Sequence, residues 1–186
     1  MSKVVVLLAE GFEEVEAIAP VDLMRRAGIE VVTASITSAR NVMGSHGIPV
    51  MADTTLDQLE GTADALFLPG GGLGTENLKA SKEVADLIRK YLAEERYLTA
   101  ICAAPTVYGL MGLLEGKKAT CYPGLESKLL GAEWTGEDVK VAVDGKFVTS
   151  RGMGTAVDFG LKIIELLISK ETADEIAAKG SVWIAL

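Results

Sequence analysis

At 186 residues, with 49% apolar and 24% charged side chains, the chain has the size and composition of one globular domain, 1–186, and not of a disordered segment. Its 26 acidic residues against 18 basic ones leave a formal net charge of −8, which argues against nucleic acid or an anionic membrane as partner. The apolar run Val4–Ala9 is too short for an export signal or a membrane span and gives way at once to Glu10, Glu13, Glu14 and Glu16, so a cytoplasmic location is expected.

In chain order, Lys3–Leu8 reads as a first strand, Glu14–Ala27 as a helix closed by Gly28, and Glu30–Ala34 as a second strand. Asn41–Met51 carries Gly44 and Gly47 in an extended pattern and reads as a hairpin off the main sheet. Ala65–Leu68 and Leu98–Ile101 are continuous apolar runs typical of strands buried on both faces, with the helix Glu83–Glu95 between them. Thr106–Leu114 reads as a helix and Lys118–Cys121 as a strand. Val139–Val143 and Lys146–Thr149, joined by Asp144-Gly145, form a hairpin, and helices over Thr155–Ser169 and Glu171–Ala178 follow. The alternation of strands and helices predicts an α/β fold with a mostly parallel sheet, right-handed crossovers and helices on both faces.

Ligands of such a sheet sit beyond the carboxyl ends of its strands, so the residues just after each strand carry the functional reading. Cys102 lies between Ile101 and the helix that Pro105 opens, with small Ala103 and Ala104 to let the backbone turn. A thiol at a helix N-terminus faces unpaired N–H groups, and a reactive thiolate near neutral pH is therefore expected. Cysteines are also frequent as small buried hydrophobes, but the elbow favours function. The run Gly70-Gly71-Gly72 brings backbone N–H groups close to the space above the sheet, either as an oxyanion site or simply as a tight turn. It fits neither nucleotide-binding glycine pattern.

Glu13, Glu14 and Glu16 open the first helix, where the dipole alone explains acidic side chains. Pro20 deprives the Glu16 carbonyl of its helical donor and is expected to kink the helix, which singles out Glu16. A carboxyl aimed at Cys102 would have its pKa raised by burial and by the sulfur's charge, leaving a proton to donate. His46, the single histidine, sits in a glycine-rich turn; Arg26 lies where a helix end favours a cation; Arg151 follows the last hairpin and is able to bind an anion. One histidine and no Cys-x-x-Cys spacing leave no pattern for a metal, and the two cysteines of a non-exported chain are expected as free thiols.

Taken together, Glu13-Glu14-Val15-Glu16 with Pro20, Asp22–Gly28, Leu68-Pro69-Gly70-Gly71, Ala100–Pro105 and Thr149-Ser150-Arg151-Gly152 resemble the ThiJ/PfpI superfamily, in its DJ-one-like branch. The resemblance runs from the first strand to the helix ending near Ser169. It implies a flavodoxin-like three-layer sandwich that forms homodimers, with Cys102 as the reactive elbow cysteine and Glu16 as the acid beside it. Gly70 and Gly71, with the Ala103 backbone, match the oxyanion side, and Tyr122, His46 and Arg26 are carried as candidate substrate contacts. Members are associated with cofactor-free conversion of methylglyoxal to lactate, with deglycase and chaperone activities, and with protection against oxidative stress. Where many relatives carry a histidine near the cysteine, this chain has Tyr122, which weakens any mechanism needing an imidazole; Ala103 after the cysteine and a single histidine far off at His46 disfavour a cysteine-histidine peptidase. The expected function is thus conversion of a small-molecule 2-oxoaldehyde to a 2-hydroxy acid through Cys102. The alternatives are a redox sensor based on Cys102 oxidation and, last, a holdase.

Overall fold

A computed structural model describes residues 1–180. Seven strands form the main sheet: β1 (Lys3–Leu8), β2 (Glu30–Ser35), β5 (Thr54–Thr55), β6 (Ala65–Leu68), β7 (Tyr97–Ile101), β10 (Val141–Asp144) and β11 (Phe147–Ser150). Their order is β10-β11-β7-β6-β1-β2-β5, with every neighbouring pair parallel except the β10–β11 hairpin. Two short strand pairs stand off this sheet, β3 (Asn41–Met43) with β4 (Pro49–Met51), and β8 (Lys118–Ala119) with β9 (Glu133–Trp134).

Because β1, β6 and β7 are apolar at every position but Lys3 and Thr99, both faces of the sheet need cover, and helices supply it. On one face α1 (Glu14–Arg26), α5 (Ala156–Leu167) and α6 (Lys170–Lys179) pack over Val4, Val6, Phe67 and Val148. On the other α2 (Gly72–Ala80), α3 (Lys82–Ala93) and α4 (Pro105–Leu110) cover Val5, Leu7, Leu66 and Leu98. This is the α/β sandwich expected from the alternation, in the flavodoxin-like form that the resemblance implies. α1 runs unbroken through Pro20, whose buried ring face meets α5 at Gly160; a Cβ at Gly160 would lie 2.9 Å from the Pro20 Cα. The pair lets the two helices approach more closely than larger side chains would permit.

Several segments depart from the sequence reading, the short strands β5 and β9, which it did not anticipate, among them. The Lys118–Cys121 strand stops at Ala119, since the Thr120 N–H donates to Thr149 Oγ1 and the Tyr122 N–H to the Cys102 carbonyl, which removes both from any ladder. The helix after Cys102 ends at Leu110 and not at Leu114, with Gly112 at a φ of +72° closing the turn. α2 has no forerunner in the sequence reading: Gly72 and Gly74 are poor helix formers, and the helix is held by burial of Gly74, Thr75 and Leu78. Among the described residues no helix is long and apolar enough to cross a membrane.

Candidate active site

The sheet order reverses between β1 and β6, and a crevice opens at their carboxyl ends. Four strand ends converge there: Glu10–Glu16 after β1, Pro69–Gly74 after β6, Cys102–Ala104 after β7 and Arg151–Thr155 after β11.

Cys102 is the centre. Its φ is +64°, a left-handed conformation that only one other non-glycine among the described residues, Glu95, shares. An L-residue there carries about 1–2 kcal/mol of strain, and the surroundings hold it in place. The Cys102 N–H donates to the Ser150 carbonyl at 2.9 Å, the Cys102 carbonyl accepts from the Tyr122 N–H at 2.7 Å, and the Thr106 hydroxyl donates to the Ala103 carbonyl at 2.6 Å. Pro105 opens α4 at its first position, as its missing N–H allows.

Glu16 comes from the first turn of α1 and is 1% exposed. Its backbone N–H is capped by the Glu13 carboxylate at 2.7 Å, and the Glu13 N–H donates to the Gly70 carbonyl at 3.0 Å, which ties the helix start to the glycine loop. The Glu16 side chain lies against Gly70 and Cys102: a Cβ placed on Gly70 would collide with Glu16 Oε2 and come within 2.6 Å of the Cys102 Cβ. Glu16 Oε2 is buried without a well-formed hydrogen bond. The Cys102 thiol and the Gly70 and Met153 amides reach the carboxyl only loosely. A buried carboxyl oxygen in that state calls for a proton or a ligand.

The two groups titrate as a pair. Burial raises the Glu16 pKa to about 7 against the pull of the Cys102 thiol. Burial, then the negative charge of Glu16 and its hydrogen bond to the thiol, pushes Cys102 up to about 12, while the Gly71 and Ala103 amides work the other way. Desolvation and the facing carboxyl thus oppose the thiolate that a helix N-terminus favours. α4 spans only six residues, and its N-terminus does not outweigh desolvation and a facing carboxylate. Glu16 is the group that ionises near neutral pH, and a thiolate forms when the thiol's proton passes to it.

The glycine loop divides its roles. The Gly70 amide faces the Glu16 carboxyl, whereas the Gly71 amide faces the Cys102 sulfur together with that of Ala103. Gly71 has φ +95°, and a Cβ there would strike the Gly11 carbonyl and lie 2.7 Å from the Glu13 N, so the loop tolerates no side chain. Tyr122 reaches the rim: its ring lies 3.4 Å from a Cβ built on Gly152, which in turn is 3.6 Å from Glu16 Oε1.

Two expected contacts do not join the site. Arg26 sits at the opposite end of α1, ten residues or about 15 Å beyond Glu16, where its Nε donates to Asp22 Oδ2 at 2.6 Å. His46 is bound to Glu14, with its Nδ1 3.0 Å from Glu14 Oε2 and its ring 70% exposed. Glu14 is the residue that the sequence reading passed over. Its buried carboxylate accepts the N–H groups of His46 and Ile48 and the Ser45 hydroxyl, and so fastens the β3–β4 turn to α1 beside the site. Only the Gly44 and Gly47 pair, marking a tight turn, hinted at a partner for it.

Burial disfavours the Glu14 charge, but the His46 ring, the His46 amide and the Ile48 amide outweigh it and hold the pKa down to about 2. A carboxyl depressed in the folded state stabilises above its unfolded pKa of 4.5, and that stability is lost as pH falls from 4.5 toward 2. Thermal unfolding followed from pH 6 to pH 3 is expected to show a steeper loss for the wild type than for Glu14→Gln; parallel curves would contradict the assignment. Glu13, Glu14 and His46 also present their ligand atoms within 4.8 Å of one another. The Glu14 carboxylate is already fully used by the turn.

Comparison with known proteins agrees with this architecture. The chain is 41% identical over 177 residues to the protein DJ-1 homolog B of Arabidopsis thaliana, covering 94% of this chain and 40% of that longer one. It thus spans less than half of the plant relatives it matches. Against protein dj-1beta of Drosophila melanogaster it is 40% identical over 95% of this chain and 96% of the other. Against a deglycase of Pyrococcus horikoshii it is 36% identical over 80% and 89% respectively. The crystal structure of a mutant DJ-1 superfamily protein from Salmonella typhimurium superposes with a TM-score of 0.93 at 34% identity, covering 99% of this chain and all of that one. A family model, the DJ-1/PfpI family, matches residues 2–166. With the elbow cysteine, its buried acid and the glycine loop meeting at the switch point of the sheet, the chain belongs to the DJ-1/PfpI family.

Proposed function

We propose that the protein converts small 2-oxoaldehydes such as methylglyoxal to 2-hydroxy acids, with Cys102 as nucleophile and Glu16 as proton carrier. The observation that carries this reading is the buried, unsatisfied Glu16 Oε2 against Cys102 at a strained elbow. As the Cys102 sulfur attacks the aldehyde carbon, its proton passes by way of Glu16 to the aldehyde oxygen, giving a hemithioacetal and leaving Glu16 ionised. Glu16 then takes the proton from that carbon and returns one to the neighbouring carbon, so that the enediol becomes a 2-hydroxy thioester. The Gly71 and Ala103 amides, which face the Cys102 sulfur, would serve the oxyanion that develops on the attacked carbon. Water cleaves the thioester, releasing the 2-hydroxy acid and regenerating the thiol; no external oxidant or cofactor enters the balance. The deglycase name of the Pyrococcus relative supports an aldehyde-derived substrate, and deglycation of hemithioacetals or aminocarbinols is a variant of the same chemistry.

Purified protein supplied with methylglyoxal, without added thiol or metal, is expected to form lactate, and Cys102→Ser is expected to lower that rate by at least about 10³-fold. Equal rates in the two proteins would end the proposal. A second reading has a specific support: a protonated Glu16 beside the sulfur would hydrogen-bond a sulfinate. Absence of lactate together with two oxygens added to Cys102 under mild peroxide would favour redox sensing over turnover.

A further inference from the structure

Arg151 occupies a position in the rim that the proposed chemistry leaves unused. It is the first residue beyond β11, as Cys102 is the first beyond β7, and the two strands pair in register Ser150↔Ile101. The hydrogen bond from the Cys102 N–H to the Ser150 carbonyl fixes the two strand ends side by side. The residues that follow Arg151 are the wall of the site: Gly152 faces the Tyr122 ring and Glu16 Oε1, and the Met153 amide reaches the Glu16 carboxyl. Outward from that wall runs an open groove of about 330 Å³, lined by Tyr122, Pro123, Lys140, Arg151, Gly152 and Met153 among others.

The second observation concerns charge. The chain has six arginines, and five of them have an oxygen partner: Arg25 on Asp53, Arg26 on Asp22, Arg89 on Asp86, Arg96 on Asp64 and Arg40 on the Ala52 carbonyl. Arg151, half-buried, has neither an ion pair nor a hydrogen bond among the described residues. The other cation in the groove, Lys140, is engaged by Asp158 at 3.1 Å, and Glu126 and Glu137 stand nearby outside ion-pair distance. In a chain of net charge −8, a guanidinium with no direct oxygen partner beside a reactive-cysteine site keeps its donors open to an anion, although Glu126 and Glu137 stand near it. Its planar donor fork suits a carboxylate.

We propose that Arg151 is a specificity-determining residue that receives a carboxylate at the far end of the aldehyde held at Cys102, so that anionic aldehydes are the preferred substrate class. This rests on the reading of the site as aldehyde-converting. The aldehyde carbon lies at the sulfur, the chain of the substrate passes Tyr122 and Gly152, and the carboxylate meets the guanidinium in the groove.

The test separates the subsite from the reaction. Iodoacetate and iodoacetamide alkylate a thiol by the same displacement and differ in charge. Their rate ratio at Cys102 is expected to fall about 10-fold in Arg151→Gln, with partial recovery in Arg151→Lys. In parallel, the ratio of kcat/KM for 4,5-dioxovalerate to that for methylglyoxal is expected to favour the anion in the wild type and to drop by a similar factor in Arg151→Gln. Using ratios removes any general loss through misfolding. Unchanged ratios in both assays would overturn the inference. A fallen alkylation ratio in a protein that turns over neither aldehyde would keep the anion subsite and refute the aldehyde reaction.

Discussion

Glu16→Gln is expected to lower kcat for methylglyoxal by about 10²–10⁴-fold while the folded protein becomes more stable above neutral pH. The amide keeps the size of the carboxyl and fills the same space under Gly70, but it cannot take the Cys102 proton or relay it between the two substrate carbons. Burial raises the Glu16 pKa in the folded state from 4.5 to about 7. Below pH 4.5 the carboxyl is protonated whether or not the chain is folded, and ionisation has no bearing on stability. Between 4.5 and 7 the unfolded chain ionises and the folded one does not, so stability falls as pH rises, by roughly 3 kcal/mol in all for a shift of this size. The glutamine variant is free of that penalty, and urea unfolding at pH 8 is expected to show it as the more stable protein.

The same pair predicts the pH profile. Turnover needs ionised Glu16 as base, so kcat/KM of the free enzyme is expected to rise with pH through about 7 and the acid limb to vanish in Glu16→Gln. Alkylation of Cys102 moves differently. With the carboxylate gone, burial still raises the thiol, but the facing charge and hydrogen bond no longer add to it. The alkylation midpoint is therefore expected to drop from about 12 toward the ordinary thiol value even as turnover collapses. A variant that keeps turnover would remove Glu16 from the chemistry.

What the sequence disclosed about this site follows a physical division. Cys102, Glu16 and the glycine loop were legible because each sits where a strand ends, and strand ends are set by local signals: an apolar run, then glycine, proline or a small residue. The fold was legible for the same reason, since β1, β6 and β7 are continuous apolar runs that need cover on both faces. Long-range partnerships were not legible. Glu14 looked like an ordinary first-turn acid until the β3–β4 turn folded over it, and His46, more than thirty residues away, was drawn to Glu14 and not to the cysteine. Arg26 lies away from Glu16 within the chain because a helix separates its ends by its length, which sequence proximity conceals. The thiol's surroundings were legible only in part, because a helix N-terminus is visible in sequence, whereas desolvation and a facing carboxyl exist only after folding. α2 escaped for the same reason, its glycines being poor helix formers that packing overrides.

Gly70→Ala is expected to lower kcat/KM by at least about 10²-fold and to destabilise the fold by about 1–3 kcal/mol. Gly70 lies outside the left-handed region, so conformational strain is not the issue; space is. Its Cβ would overlap Glu16 Oε2, lie 2.6 Å from the Cys102 Cβ and 3.0 Å from the Ile101 carbonyl. The last of these is backbone in the central strand β7, and Cys102 is held by its bonds to Ser150 and Tyr122, so neither yields cheaply. The carboxyl is the part able to move, and it moves away from the sulfur, breaking the one contact on which proton transfer depends. Gly72→Ala is the matched control, because a Cβ there meets nothing within 4 Å and Gly72 opens α2, where alanine is the better helix former. The expected pattern is therefore opposite in sign for two glycines two residues apart: loss of turnover and stability at Gly70, near-neutral turnover and a slight gain in melting temperature at Gly72. If Gly70→Ala instead keeps turnover within a few-fold, the contact between Glu16 and Cys102 is dispensable, and the proton carrier must be sought elsewhere on the rim, beginning with Tyr122.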